Sequence, residues 1–326
     1  MRHFIGLDLG GTNVKAGVVD DQAQVLASQS VPTPAQGGPK AVIDAMAQCA
    51  RLVCDKAELS FSDVTAIGVG SPGPLDFEAG VVIALPNLPG WENVPLRDRL
   101  AQATGRPVVL ENDANAAAFG EYWAGAGRDP AIRHLVMLTL GTGIGSGLII
   151  EGQILHGAFN VGGEGGHMIV DPDGRPCGCG QRGCLESGAS ASHTARRAEE
   201  ALAGGAASSL AARYKQAGAI EAKDVFDAAK AGDDLAVKIA AQTATVLAIG
   251  CVNLCRLLDP QMIVFAGGMI LAGDYLFALV REQFQQRSWT IMKDRVQIVP
   301  AQLGNKAGFI GAAAVARDAQ QRGRLP

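Results

Sequence analysis

The chain has 326 residues and is 48% apolar, enough for two cores of ordinary domain size. Its net charge is −4 with both signs interspersed, so no basic stripe points to nucleic acid and no lysine-rich face to a membrane surface. A strand pattern begins by His3 with no secretory leader before it. The longest apolar segment, residues 235–258, is interrupted by Lys238, Gln242, Thr243, Asn253 and Arg256, which fits a buried helix rather than a membrane span. These features fit a cytoplasmic enzyme.

Residues 4–9 read as a strand, followed by Gly10, Gly11 and Thr12 and a second strand over 14–19. A glycine-rich hairpin tip lets backbone N–H groups approach an anion with no Cβ in the way. Asp8, at the strand end, is placed to hold magnesium directly or through water. An ordinary glycine hairpin is the plainer reading of one such loop. The design recurs over residues 135–150, around Gly141, Thr142 and Gly143, so two such turns can grip a polyphosphate. No Gly-Lys-Ser/Thr follows either turn, and a strand rather than a helix comes next, which excludes the P-loop and the dinucleotide fingerprint.

Between the hairpins, a third strand over 25–31 precedes a helical pattern over 39–59. A buried strand over 64–69 runs into the rigid turn Ser71-Pro72-Gly73-Pro74. An extended piece at 81–85, a loop at 86–91 and a short helix at 95–103 follow. Residues 107–110 form a strand, and a helix starts near Ala114. Asp113 stands where an N-cap sits, and capping explains it without any function. The same place, a strand's C-terminal edge beside a helix start, is where open α/β sheets put ligands, and a carboxylate there can take a proton from a hydroxyl.

The glycine-rich run ends in His167, Cys177, Cys179 and Cys184, four thiolate and imidazole ligands of the type zinc prefers. Four protein ligands leave no open position, so a zinc ion there is structural. A disulfide is the rival, set against the reducing cytosol. Glu164 and Glu186 flank this knot, and paired carboxylates suit vicinal sugar hydroxyls; two ordinary surface glutamates are the alternative. Cys49, Cys54, Cys251 and Cys255 fall in helical patterns as core residues.

Helices are expected over 189–203, 208–217 and 222–230, and a long one to Leu258 capped by Asp233. A buried strand over 261–266 leads into Gly267-Gly268, which is either a site of close ligand approach or a plain tight connection. A helix over 270–286, a strand over 296–299 and a helix over 306–321 complete the chain.

DLGGTNVKAG at 8–17, ENDANAAAFGE at 111–121, the LGTGIGSGLI run with EGGH at 140–167, and CGCGQRGCLE at 177–186 together resemble the ROK family. IVFAGGM at 263–269 and LGNKAGFIGAA at 303–313 extend the resemblance over almost the whole chain, and the bacterial glucokinases of that family are the nearest in pattern. The resemblance implies an α/β actin-like ATPase (ribonuclease H-like) fold, with two α/β domains and a cleft between them. Residues 1–115 would form a small domain joined by a final helix at about 305–326, and 116–304 the large, zinc-bearing domain.

It further implies ATP-dependent phosphorylation of a hexose on its 6-hydroxyl, glucose foremost, with ATP, Mg2+ and structural Zn2+. Asp113 matches the catalytic base. Asp8 aside, Gly10, Gly11, Thr12, Gly141, Thr142 and Gly143 match the phosphate turns, and Gly267 and Gly268 the adenosine segment. Asn112, Glu164, His167 and Glu186 match sugar contacts, and Gly73 and Asn87 the loops lining the same pocket. The family suggests a homodimer. Lys15 follows the first turn with no role assigned.

Other hexoses (N-acetylmannosamine, N-acetylglucosamine, fructose or allose) remain alternatives. A non-catalytic sugar-sensing regulator and a sugar-independent actin-like assembly ATPase are readings from other classes. About three residues precede the first strand, too few for the DNA-binding module that family repressors carry.

Overall fold

The computed structural model of the protein describes every residue except Pro86 and Met292. Pro86, the first residue of the expected 86–91 loop, therefore lies outside the described residues. Internal contacts divide the chain into two units. The first holds Met1–Ala131, Gly147–Gly163 and Gln302–Pro326; the second holds Ile132–Ser146 and Glu164–Ala301.

In the first unit, strands β1 (His3–Leu9), β2 (Asn13–Asp20) and β3 (Val25–Pro32) lead to helix α1 (Gly38–Lys56). Then come β4 (Val64–Ser71), β5 (Leu75–Asp76), β6 (Val81–Ala84), β7 (Glu92–Val94), α2 (Leu96–Thr104), β8 (Val108–Asn112) and α3 (Asp113–Ala124). The main sheet has the order β3-β2-β1-β4-β8. Its first three strands are antiparallel neighbours, while β1, β4 and β8 run parallel. Helix α1 covers one face with Val42, Ile43, Met46, Ala50 and Val53, the apolar stripe that its periodicity foretold. Cys49 and Cys54 lie in that core, and burial pushes both thiols up to about 11.

Strand β9 (Leu135–Leu140) opens the second unit, and β10 (Ile144–Ile150) leads out of it towards β11 (Gln153–Ile154). Helices α4 (Leu185–Ala189), α5 (Ala191–Ala203), α6 (Leu210–Ala217), α7 (Ala222–Lys230) and α8 (Asp234–Leu258) follow. Strand β12 (Met262–Ala266), helix α9 (Asp274–Arg287) and strand β13 (Gln297–Pro300) complete the unit. The second sheet has the order β11-β10-β9-β12-β13, the same plan of antiparallel strands beside parallel ones. Helix α8 is long and apolar enough to cross a membrane by composition alone, but Ile239, Thr243, Leu247, Cys251 and Leu254 are buried within this unit.

Helix α10 (Ala307–Gln321) belongs to the first unit, and glycines set its place there. A Cβ on Gly6 of β1 would lie 1.7 Å from the Phe309 carbonyl oxygen, and one on Gly68 of β4 would lie 1.7 Å from that of Ala312. One on Gly311 would lie 1.6 Å from the Ala116 carbonyl oxygen of α3. Backbone therefore rests on backbone at three points. Buried Glu121 of α3 fastens the segment before α10, accepting the amides of Gln302 at 3.0 Å and Leu303 at 2.7 Å.

Several expectations shift. The first unit extends past the expected limit at residue 115, because α3 packs whole against α10, and it takes in 147–163 as well. The helix expected over 189–203 is broken at Ser190, whose hydroxyl accepts the His193 amide and starts α5 afresh. The helix expected from Ile270 begins at Asp274. A 3-10 turn occupies 268–272, and Gly273 at φ +66° ends it. Strand β8 runs on to Asn112 rather than stopping at Leu110.

Candidate active site

The first unit gathers its predicted residues at one edge of the main sheet, where β1, β4 and β8 end. Parallel register places Asp8 level with Gly70, Gly70 level with Glu111, and Ser71 level with Asn112. A Cβ on Gly70 would lie 3.6 Å from the Asp113 Cα. The Gly10–Thr12 turn leaves the same edge. It is closed by the Gly10 amide on the Asn13 carbonyl at 3.0 Å and braced by Thr33, whose hydroxyl reaches the Gly10 carbonyl at 2.7 Å. Gly11 has open space around its Cα, as an anion cradle needs. Gly73, at φ +82°, follows β4 in the turn from this edge, where a Cβ would strike the Ala84 carbonyl at 2.4 Å. Asn87 is exposed in a turn of the same unit.

The cap of α3 is Asn112, not Asp113. Its Oδ1 accepts the amides of Ala114 at 3.0 Å and Asn115 at 3.2 Å, while its backbone keeps the extended geometry of a cap. Asp113 is the first helical residue, and its Oδ1 accepts the neighbouring Ala114 amide at 2.8 Å. Capping, the plain explanation for Asp113, is thus taken by its neighbour.

Burial raises the pKa of both Asp113 and Asp8. For Asp8 the cation of Lys15, its partner across β2 at 3.9 Å, works against that rise, and the charge of Asp113 adds to it. An acid raised by burial and by a neighbouring carboxyl, and only partly offset by a lysine, forms a site that favours a divalent cation or a proton. Lys15, with no role from the sequence, stands here as the counter-charge of Asp8.

In the second unit, β9 and β12 are parallel neighbours, and the Gly141–Gly143 turn and Gly267-Gly268 leave their ends together. Gly267 has φ +86°, and a Cβ there would lie 2.6 Å from the Leu140 carbonyl. The close approach expected of this pair is thus, in part, to backbone. A cavity of about 430 Å³ opens beside both turns, lined by Gly141, Thr142, Ser192, Ile220, Lys223 and Gly268. Ser192, Ile220 and Lys223 carry no signal in sequence; helix α5, helix α7 and the connection before α7 bring them in.

Glu186 ties the glycine turn to the cysteine knot. Its Oε2 accepts the Ile144 amide at 2.9 Å, and its Oε1 lies 3.5 Å from Cys177 Sγ. Gly166 is pressed against the Ile144 carbonyl, and the Gly165 amide donates to Ser146 Oγ at 2.7 Å, so His167 is laid beside the same strand. A bridge between Ile169 and Cys184 then brings the histidine to the cysteines. Glu164 is exposed at the head of that turn.

The ligand atoms of His167, Cys177, Cys179 and Cys184 all lie within 4.8 Å of one another. Cys179 and Cys184 sulfurs are 3.7 Å apart, and Cys177 Sγ is 3.6 Å from His167 Nδ1. Zinc–sulfur bonds of about 2.3 Å in a tetrahedron put sulfurs about 3.8 Å apart, so the donor set fits a zinc ion. Sulfurs at this spacing are not disulfide-bonded, and all seven cysteines are free. Burial, with the neighbouring thiols, pushes Cys184 up to about 12, and burial raises Cys177; these thiols need a cation to ionise together.

The ROK family pattern matches residues 4–319. The chain is 39% identical to a glucokinase of Thermotoga maritima over 318 residues, 97% of each protein. A ROK hexokinase of Thermus thermophilus superposes with a TM-score of 0.84 at 36% identity, over 98% of this chain and 99% of that one. A ROK family glucokinase of Streptomyces griseus, solved with glucose and AMPPNP, gives 0.77 at 35% identity, over 97% of this chain and 99% of that one. These neighbours share the actin-like ATPase fold, and the two α/β units described above are its two halves. With fold, motif order and near full-length identity in agreement, the chain belongs to the ROK family.

Proposed function

We propose that the protein is an ATP-dependent glucokinase, which transfers the γ-phosphoryl group to the 6-hydroxyl of glucose. The observation that carries this reading is Asp113: half-buried, raised in pKa and released from capping, at a sheet edge beside Asp8 and a glycine turn. Relatives named glucokinases along nearly the whole chain support the substrate.

Phosphoryl transfer is mostly positioning and charge stabilisation. Gly10, Gly11 and Thr12, with Gly141, Thr142 and Gly143, supply backbone amides for the phosphates. The cavity beside Gly268 takes the adenosine. Asp8 would hold magnesium, directly or through water, and the ion would supply neutralisation of phosphate charge. Glu164, His167 and Glu186 accept and donate to the sugar ring, with Asn112, Gly73 and Asn87 from the first unit. Asp113 takes the 6-hydroxyl proton, a task its raised basicity suits.

His167, with Cys177, Cys179 and Cys184, would hold a structural zinc ion by one ring nitrogen and leave the other for the sugar. Thiolates held for zinc fit a reducing, cytoplasmic setting. ADP release measured with glucose, N-acetylmannosamine, N-acetylglucosamine, fructose and allose tests the reading. Glucose is expected to give the highest kcat/KM. ATP turnover independent of sugar, or sugar binding without turnover, would sink it.

Zinc is expected at about one equivalent per chain, and Cys184→Ser is expected to lose both the metal and the fold of the 165–188 segment. Metal analysis with thermal melting checks this. Active protein holding less than about half an equivalent would refute a required site.

A further inference from the structure

Strand β8 carries an acid that the reaction as described leaves unused. Glu111 is 3% exposed and follows the apolar run Val108, Val109 and Leu110 in β8. Burying a carboxylate costs several kcal/mol unless its lone pairs are met. Here they are. Oε1 accepts the Asn112 amide at 2.9 Å and the Asn115 Nδ2 at 3.1 Å, and Oε2 accepts His156 Nε2 at 2.8 Å. Two of these three donors belong to the residues immediately around Asp113. The third comes from the 147–163 segment, which leads in sequence to Glu164. The His156 ring packs on Phe77 with centroids 4.5 Å apart, and it lines a cavity of about 340 Å³ with Phe77, Glu111 and Phe119. All of these residues lie in the first unit.

We propose that His156, acting through Glu111, is a positioning residue for Asp113. Glu111 holds the β8–α3 junction by two hydrogen bonds, and the imidazole fixes the carboxylate's rotamer by the third. An apolar residue at 111 would pack the strand at less cost, so the buried pair is spent on orientation rather than on stability. The Asp113 carboxyl accepts backbone amides of that junction, the Ala114 amide at 2.8 Å among them, so any loosening of the junction moves the carboxyl directly. Misplacement by about 1 Å costs up to about a hundredfold in rate.

This inference rests on Asp113 being the general base. Wild-type turnover on glucose, and its loss in Asp113→Asn, test that parent reading separately. His156→Ala is expected to lower kcat by about tenfold or more with little change in the glucose KM. Free imidazole, admitted through the neighbouring cavity, should restore most of the loss and saturate. His156→Gln, which offers an N–H near the position of Nε2, should stay near wild type and guards against a mere folding defect.

Glu111→Ala should lose turnover that imidazole does not restore. Hydrogen exchange of the peptide covering residues 111–118 should quicken in His156→Ala and slow again with imidazole, whatever the sugar. Unchanged exchange and kcat in His156→Ala, or a loss that imidazole leaves untouched, would overturn the proposal.

Discussion

Asp113→Asn is expected to cut kcat by about a hundredfold or more, the lower bound of what a positioned general base supplies. Asparagine has the same shape and keeps an Oδ1 for the Ala114 amide at 2.8 Å, so the local backbone loses nothing. It cannot accept the proton of the attacking hydroxyl. The cap of α3 is untouched, since Asn112 supplies it. Glucose binding and the melting temperature should therefore stay near wild type while turnover collapses. Calorimetric binding and steady-state ADP release separate the two. Near-normal turnover would remove Asp113 from the role. In Asp113→Ala, a fall in melting temperature matching the roughly 1 kcal/mol of a lost cap would restore the capping explanation instead.

Gly311→Ala is expected to destabilise the first unit by about 3 kcal/mol, the upper range for overpacking. Two effects of opposite sign compete. Alanine is the better helix former by about 1 kcal/mol. Against that, its Cβ would sit 1.6 Å from the Ala116 carbonyl oxygen, with the Ala116 carbonyl carbon at 2.3 Å. Those are backbone atoms and cannot rotate away, so two helices must separate. Repulsion wins, and the melting temperature should fall by about 6–12 °C on the usual scaling. A variant as stable as wild type would mean that α10 does not lie against α3 as described.

Residues whose chemistry is local were readable from sequence. The two hairpins announced themselves because apolar runs and glycine–threonine tips alternate over a few residues. The cluster of His167, Cys177, Cys179 and Cys184 did so because four soft donors crowd a short glycine-rich run. The cap at Asn112 was harder to see. Asn112 and Asp113 are both good capping residues, and only the backbone angles decide between them. The break at Gly273 depends on a positive φ that composition does not announce.

Glu111 and His156 are 45 residues apart, Ser192 and Lys223 reach their cavity on different helices, and Lys15 meets Asp8 across a strand pair. Such pairings exist only after folding. The division into units is of the same kind: nothing in residues 147–163 says that they group with the unit built from the start of the chain.

The return of α10 has a consequence for biosynthesis. A ribosome makes the strands of β1–β4 first, yet their covering helix last. Residues 164–301, nearly all of the other unit, emerge before it, so the usual order in which the amino-terminal body matures first is reversed. A released chain truncated after residue 301 should resist protease over 164–301 and be cut within 1–131, since the early strands would lack their covering helix.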